Sequence, residues 1–280
     1  MTVTALMPVR DYHPRYLTNA VDSMLGQTSP DWRLIVVTER QRFDEIAGVI
    51  RYALDDGRVD LLVNEGRKLA GALNTGMRHA TTEFVAILLG DDLWSPDAVA
   101  VLTKRIIGDP GVDFFHSARR VIGEHDDPVG GVQPSREVVA LEDFGTTSPV
   151  KHLLCWRRAM GLAIGGMDES LNSVGPDDFD FPWSMAEHGA RFAAIPVCLY
   201  LYRDHRTGFR LTTHVPRSVH VAEIRRIMRK HGVGRLATER RVHQARRTYL
   251  RQCLYRSRID RWLRERSGRQ PRRVWRDYRV

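Results

Sequence analysis

The sequence predicts an α/β fold in which helices flank a mostly parallel sheet, with a basic helical extension at the C-terminus. Short apolar segments alternate with helical segments four times within about the first 110 residues, and this alternation is typical of a parallel sheet covered by helices. Basic residues are concentrated after residue 216, where 21 Arg or Lys stand against five Asp or Glu. The first 216 residues contain 22 basic and 29 acidic residues, so the body itself is not expected to bind polyanions.

Hydrophobic periodicity divides the N-terminal part of the chain into four strands and four helices. The first strand ends at about Pro8, and Pro14 begins a helix in which Leu17, Val21 and Met24 share one face. The predicted strands are 2–9, 32–38, 59–63 and 83–89, and the predicted helices are 14–25, 41–54, 68–79 and 96–107.

The pattern is less regular after residue 111. Gly, Pro and acidic residues at 123–135 predict an exposed loop, residues 150–156 a strand, and Gly165-Gly166 a turn. Residues 177–188 predict a helix with an acidic first turn, and residues 191–203 predict one or two strands. From residue 218 onward the pattern is helical and rich in Arg.

Several classes of protein are disfavoured by composition. The longest purely apolar stretch, residues 84–89, falls far short of the roughly 20 residues that span a bilayer. The N-terminus enters an apolar strand at once, which predicts no signal peptide. Three widely spaced cysteines without a C-x-x-C pair predict neither a disulfide framework nor a zinc site. We therefore expect a cytoplasmic protein.

Parallel sheets bind ligands at the carboxyl ends of their strands. That rule selects Val9-Arg10-Asp11, Thr38-Glu39 and Gly90-Asp91-Asp92, each of which follows a predicted strand. Adjacent carboxylates at Asp91 and Asp92 suit Mg²⁺ or Mn²⁺, which prefer oxygen ligands and can neutralise a pyrophosphate leaving group. The alternative is an ordinary polar turn that caps the helix beginning at Pro96.

A second acidic cluster contains Asp177, Asp178 and Asp180. Carboxylates are favoured at a helix N-terminus by its dipole, so capping is one interpretation. The other is a general base that removes a proton from an acceptor hydroxyl. His205, just after the last predicted strand, is either a structural or exposed histidine or a third metal ligand beside the Asp91-Asp92 turn.

Four motifs, taken together and in order, give the chain a resemblance to a known family. They are residues 7–37, from Met7-Pro8-Val9-Arg10 to Trp32-Arg33-Leu34-Ile35-Val36-Val37; residues 72–96, with Ala72-Leu73-Asn74-Thr75-Gly76 and Asp91-Asp92-Leu93-Trp94-Ser95-Pro96; residues 165–180, with Gly165-Gly166-Met167-Asp168-Glu169 and Asp177-Asp178-Phe179-Asp180; and Tyr202-Arg203-Asp204-His205. Over roughly residues 3–206 the chain resembles the family 2 glycosyltransferases, which have the Rossmann-like GT-A fold.

The resemblance implies transfer of a sugar, with inversion, from a nucleoside diphosphate sugar to an acceptor hydroxyl. By resemblance Asp178 is the general base and Asp177 its acidic neighbour. Asp92, Asp91 and His205 would hold a divalent metal, Mn²⁺ or Mg²⁺. The residues that would bind the nucleotide sugar are Pro8, Val9, Arg10, Glu39, Lys68, Asn74 and Asp91. Residues 1–110 would form the donor half, residues 111–216 the acceptor half of the same domain, and residues 217–280 the helical extension.

The chain departs from the family pattern at two places. Thr38-Glu39-Arg40-Gln41 stands where Asp-Asp-Gly-Ser is usual, and Leu89 occupies the first position of the usual Asp-x-Asp-Asp. These changes keep open a nucleotide-sugar-binding protein with impaired catalysis. A nucleotidyltransferase on a similar scaffold is a further alternative, although no Gly-rich phosphate loop follows the first strand.

The basic extension has three interpretations. Val221, Ile224, Ile227 and Met228 lie at helical spacing, so one face is expected to pack on the body while a solvated basic face points outward. That basic face could instead contact an anionic membrane, at its inner face, or a second subunit. No nucleic acid is expected, because no recognised binding module is present. The acceptor stays open among a saccharide, a lipid-linked molecule and a small molecule.

Overall fold

The computed structural model describes residues 3–145, 148–171, 175–204 and 215–256. Within these residues one mixed sheet forms the centre of the molecule. Its strands are β1 (Val3–Val9), β2 (Trp32–Thr38), β3 (Val59–Val63), β4 (Phe84–Ile87), β5 (Leu93–Trp94), β6 (Phe114–Ile122), β7 (Pro128–Gln133), β8 (Leu154–Arg157) and β9 (Phe192–Arg203).

Helices cover the sheet and continue into the extension. They are α1 (Pro14–Leu25), α2 (Phe43–Val49), α3 (Arg51–Leu54), α4 (Lys68–His79), α5 (Ala98–Gly108), α6 (Arg158–Ala163), α7 (Phe181–Glu187), α8 (Arg217–Lys230) and α9 (Arg235–Arg256). Short 3-10 turns cover Arg40–Arg42 and Leu141–Phe144, and a π-helical turn covers Pro176–Asp180 just before α7.

Strand order explains where the site lies. The order is β3-β2-β1-β4-β8-β6-β9-β5, with β7 beside β6. The first four strands are parallel, and β6 and β9 are parallel to each other. Because β8 is antiparallel to both β4 and β6, β6 runs in the same direction as β4. The carboxyl ends of β1, β2, β4, β6 and β9 therefore lie along one edge of the sheet.

Alternating side chains of the central strands fill both faces of the sheet. On β1, Ala5 and Met7 pack with α1 and α5, whereas Leu6 faces the opposite way and packs with α4. Burial on both faces accounts for the nearly continuous apolar runs of these strands. The predicted α/β class follows directly from that pattern.

Three local predictions differ from the structure. The predicted loop 123–135 contains β7, which pairs with β6 through a register shift. The predicted helix 41–54 is divided into a 3-10 turn and two short helices, α2 and α3. The strand predicted at 150–156 begins only at Leu154. Pairing with the preceding strand β6 overrides local propensity at β7. Residues 191–203 form one strand, in agreement with the prediction of one or two.

The extension shares a hydrophobic core with the body of the protein. Ile224, Ile227 and Met228 of α8 are buried against Phe179 and Trp183, so the predicted apolar face of this helix packs on the body. Val242 and Ala245 of α9 join the same cluster. In the part of the chain that the structure describes, no helix is both long and apolar enough to cross a membrane.

Candidate active site at the carboxyl edge of the sheet

The turn after β4 lies directly beside the end of β1. Val9 pairs with Thr38 of β2, and the Leu88 N–H donates to the Leu6 carbonyl at 3.0 Å. A Cβ at Gly90 would lie 3.1 Å from Cγ2 of Val9, so a glycine is what allows this close approach. The structure therefore brings Pro8, Val9 and the Asp91-Asp92 turn together, as the carboxyl-end rule predicts.

Asp92 is fully buried, and both of its carboxylate oxygens accept protein hydrogen bonds. The Tyr200 hydroxyl donates to Oδ2 and the Arg203 backbone N–H donates to Oδ1, each at 2.7 Å. Burial, and then the neighbouring Asp91 charge, raise the pKa of Asp92 well above its usual value. Asp91 is half-buried instead, and its main-chain carbonyl accepts from Nε of Arg203 at 2.6 Å.

These contacts change the expected division of roles at the acidic pair. Asp92 is expected from the sequence to be the principal metal ligand, but its oxygens hold the end of β9. Asp91 has the partly exposed carboxylate, whose chemistry suits a hard divalent cation. Among the described residues, no group of three or more His, Cys, Asp or Glu side chains is placed to hold a metal ion. The predicted third ligand, His205, lies outside the described residues.

Arg203 fixes the turn from the opposite side. Its guanidinium is buried, donates to the Gly123 carbonyl at 3.1 Å, and forms an ion pair with Asp126. The same group lies 4.4 Å from the centre of the Tyr16 ring. Arg203 therefore ties the loop after β6, helix α1 and the acidic turn into one rigid unit.

The second acidic cluster lies in the π-helical turn before α7. Asp177 is buried, and its Oδ2 lies 3.0 Å from Nε2 of His152. The His152 ring is 5.2 Å from the ring of Tyr200, whose hydroxyl bonds Asp92. A continuous set of contacts thus joins two acidic motifs that are more than 80 residues apart in sequence.

Asp178 is held in place by its neighbours in the chain and by a loop. The Ser148 hydroxyl donates to its carbonyl at 2.5 Å, and a Cβ at Gly175 would overlap its carboxylate. Burial, followed by the adjacent charge of Asp177, raises the pKa of Asp178. Positive charges on His152, Arg119 and Lys151 act in the opposite direction. This environment suits a carboxylate that exchanges a proton.

Three of the predicted donor residues are Arg10, directly after β1, Glu39, directly after β2, and Lys68, the first residue of α4. Nδ2 of Asn64 donates to Oε1 of Glu39 at 2.9 Å and to the Lys68 carbonyl at 3.4 Å, which groups these residues. Lys68 has a positive φ of 61°. Arg10 is exposed at the end of β1 and bonds Asp11. Their contact with a donor stays a prediction.

Asn74, another predicted donor residue, makes several contacts within the protein. Its side chain is buried, Nδ2 donates to the Met167 carbonyl at 3.0 Å, and Oδ1 accepts from the Met167 N–H at 2.8 Å. Nδ2 also donates to Glu169 at 3.1 Å. In the described contacts the amide holds the segment after α6 against α4. Contact of Asn74 with a nucleotide sugar stays a prediction.

Sequence reasoning missed several residues that complete the edge. They are Arg119 near the end of β6, His152 before β8 and Tyr200 on β9. For Arg119 and Tyr200 the available signal is a polar side chain towards the carboxyl end of a strand, but it requires the order of β6, β8 and β9. That order is set by pairings across the whole chain. His152 precedes β8, which is antiparallel to β4 and β6, so the carboxyl-end rule does not select it.

Comparison with known proteins identifies the class to which this fold and site belong. The model of glycosyl transferase family 2 matches residues 4–152, more than half of the chain. The chain belongs to this family, and the resemblance drawn from the sequence is confirmed.

Among curated relatives, an Escherichia coli protein named UDP-Glc:alpha-D-GlcNAc-diphosphoundecaprenol beta-1,3-glucosyltransferase WfgD is 34% identical over 125 residues. The alignment covers 44% of this chain and 47% of that protein. The succinoglycan biosynthesis protein ExoW of Rhizobium meliloti is 30% identical over 100 residues, covering 34% of this chain and 31% of ExoW. The chain thus spans less than half the length of these relatives.

Solved structures confirm the GT-A-like fold. Residues 1–349 of S. aureus TarS, solved with UDP-GlcNAc, match with a TM-score of 0.63 at 17% identity, over 93% of this chain and 74% of that chain. The mannosyltransferase PcManGT of Pyrobaculum calidifontis, solved with GDP-Man and Mn²⁺, matches with a TM-score of 0.63 at 21% identity, over 96% and 76%. At these identities the likeness shows the fold.

Proposed function

We propose that the chain transfers a glycosyl group from a nucleoside diphosphate sugar to an acceptor hydroxyl, with inversion, at the carboxyl edge of the sheet. The observation that carries this proposal is the contact path Asp92–Tyr200–His152–Asp177, which places the two acidic motifs at one site. The Asp91-Asp92 motif suits the diphosphate side of the reaction, and the Asp177-Asp178 motif suits the acceptor side. Family membership and the solved nucleotide-sugar complexes of the neighbours support the same chemistry.

The donor side is built from Asp91 and the ends of the first three strands. Asp91 would hold a divalent cation, Mn²⁺ or Mg²⁺, which neutralises charge on the diphosphate when bound. Asp92 holds the turn through Tyr200 and Arg203, so that Asp91 keeps its place. Pro8, Val9 and Glu39 would border the nucleotide base, with Arg10 and Lys68 on the same edge.

On the acceptor side, Asp178 would remove the proton from the attacking hydroxyl. Inverting transfer needs one carboxylate opposite the leaving group, and Asp178 has the position that the family motif gives to the base. Its raised pKa strengthens it as a base, because proton affinity increases with pKa. The charges of His152, Arg119 and Lys151 limit that rise.

Release of nucleoside diphosphate tests the proposal. UDP-, GDP- and TDP-sugars would be incubated with the full chain, with Mn²⁺, with Mg²⁺ and with EDTA, together with a panel of sugar and phosphosugar acceptors. We expect one nucleotide to be preferred and its diphosphate to be released faster with metal and acceptor. Specific binding without any release would favour the impaired binding protein, and release of pyrophosphate from a nucleoside triphosphate would favour a nucleotidyltransferase.

The location and partners of the protein also remain proposals. The extension would place the basic face of α9 against an anionic membrane surface or a second subunit, while the body stays in the cytoplasm. Either arrangement would bring the acceptor half close to a lipid-linked acceptor or to a partner's product.

A further inference from the structure

A group of basic side chains surrounds Asp178, and one of them comes from the C-terminal extension. Lys151 and Arg136 lie in the loops that flank β8 and follow β7, and Arg119 lies on β6. The Arg136 N–H donates to the Pro149 carbonyl at 3.0 Å, and Ser148 bonds the Asp178 backbone. Arg241 projects from α9, with its guanidinium 5.3 Å from the ring of Phe179.

Two of these cations are bonded to no carboxylate among the described residues. Nζ of Lys151 donates only to the carbonyls of Ser148 and Val150, at 3.2 and 3.3 Å. Nε of Arg241 is buried and has no hydrogen-bond partner within the part of the chain that the structure describes. Nearby Asp177 is already bonded to His152. A buried donor such as Nε of Arg241 is costly unless an acceptor occupies the space that it faces.

The electrostatics agree with the geometry. Burial, followed by the charges of Arg119 and other basic neighbours, lowers the pKa of Lys151 to about 8. Burial likewise lowers the pKa of Arg241, and only Asp178 opposes that shift. An added anion would stabilise both charged forms, since opposite charges at close range favour ionisation.

We propose that Lys151 and Arg241 bind a phosphate group beside Asp178, and that this group belongs to the acceptor. The inference rests on the proposed function and specifies its acceptor class as a phosphorylated molecule. The two cations lie on the Asp177–Phe179 side of the edge. Lys151 belongs to the loop before β8, and Arg241 belongs to α9 of the extension. The predicted nucleotide contacts Pro8, Val9 and Glu39 lie instead on β1 and β2.

Calorimetric titration of inorganic pyrophosphate into the full chain tests the site. The titration is made with and without a saturating nucleoside diphosphate and Mn²⁺. We expect pyrophosphate to bind while the nucleotide is present, and Arg241→Gln and Lys151→Gln each to weaken that binding about tenfold or more, as loss of a charge-assisted hydrogen bond does. Arg240→Gln is the control, because Arg240 is the exposed neighbour on the same helix.

The outcomes separate the two sources of phosphate. If saturating nucleotide abolishes pyrophosphate binding, the site is that of the donor diphosphate and the proposal is overturned. Equal binding by wild type and both Gln variants also overturns it, and Lys151→Gln answers the question if Arg241→Gln does not fold. If the protein turns over a donor but does not bind pyrophosphate, the phosphate site is rejected and the transferase assignment stands. If pyrophosphate binds in the expected pattern but no donor is turned over, the transferase assignment is rejected and the phosphate site stands.

Discussion

At the scale of single residues, the chemistry of Asp178 depends on a balance between burial and charge. Burial and Asp177 raise its pKa, whereas His152, Arg119 and Lys151 lower it. A base acts only in its ionised form, so a raised pKa moves the loss of activity on acidification to higher pH. Activity should therefore decline on the acid side of neutrality.

Replacing Asp177 should shift that decline. Asp177→Asn removes the like charge that raises the pKa of Asp178, so the acid limb of kcat against pH should move to lower pH. The pH profile of single-turnover transfer would measure it. As a control, Asp60→Asn alters an exposed aspartate on β3 and should leave the limb in place. A shift to higher pH would contradict this account of Asp178.

Removing the base itself should affect turnover far more than binding. We expect Asp178→Asn to lower kcat by about 10²–10⁴-fold with nearly unchanged donor affinity. Asp180→Asn should instead lower the melting temperature, because Asp180 is buried and accepts from Lys230 at 2.7 Å and His231 at 3.1 Å. Steady-state kinetics beside thermal melts distinguish the two. Near-wild-type turnover of Asp178→Asn would leave Asp177 as the next candidate.

At the scale of elements, the site depends on β9 being attached to the turn after β4. The Tyr200 hydroxyl donates to Asp92 and accepts from the Leu89 N–H at 3.1 Å. Both partners are enclosed by the sheet edge, so loss of the hydroxyl would leave them without this contact.

Tyr200→Phe tests that attachment. We expect a loss of about 1–3 kcal/mol of unfolding free energy, the usual penalty for unsatisfied buried groups. Tyr52→Phe is the matched control, because Tyr52 also donates to an aspartate, Asp22, at 2.7 Å, but is 47% exposed. That change should cost about 0.5 kcal/mol or less. Equal effects in urea denaturation would show that Tyr200 does not support the turn.

The elements also show how far sequence reasoning reaches. The parallel strands β1 to β4 were predictable because each has a local apolar pattern followed by a helical one. The insertion of antiparallel β8 between β4 and β6 depends on contacts between distant segments, which leave no periodic signal. Asp91, Asp92 and Asp178 were accessible as motifs, while His152 and Tyr200 join the site only through that strand order.

The same limit applies to the contacts of Asp92 and Asn74, which the sequence did not predict. Asp92 and its neighbour Asp91 are indistinguishable in a linear motif, and only the fold shows that Asp92 turns inward to Tyr200. Asn74 sits in a family motif, but the direction of its amide depends on how the segment at Met167 packs against α4. Adjacent polar residues receive different roles from tertiary contacts that their sequence does not encode locally.

At the scale of the whole molecule, the extension packs on the body through a shared core and carries an exposed basic face. Deleting α9 would remove Val242 and Ala245 from a shared core, so truncation would confuse folding with binding. Exposed arginines on α9, Arg246, Arg247 and Arg251, allow a cleaner test because their removal leaves that core intact.

Replacing those three arginines with Gln should weaken association with anionic vesicles. Each basic residue near such a surface contributes about 1 kcal/mol, and the association should fall as salt shortens the screening length to below about 8 Å. Sedimentation with phosphatidylserine vesicles would measure it, with neutral vesicles as the control. If the triple variant sediments with the vesicles as wild type does, the basic face does not bind the membrane. It would then be either exposed to solvent or in contact with a second subunit.

The central claim is that the acidic turn after β4 binds the diphosphate of a nucleotide sugar through a divalent cation. Calorimetric titration of the preferred nucleoside diphosphate, with Mn²⁺ and with EDTA, tests it most directly. Asp91→Asn should abolish the gain in affinity that Mn²⁺ gives, while Asp109→Asn, at a half-buried aspartate after α5, should preserve it. Unchanged metal-dependent affinity in Asp91→Asn would contradict the assignment of this site.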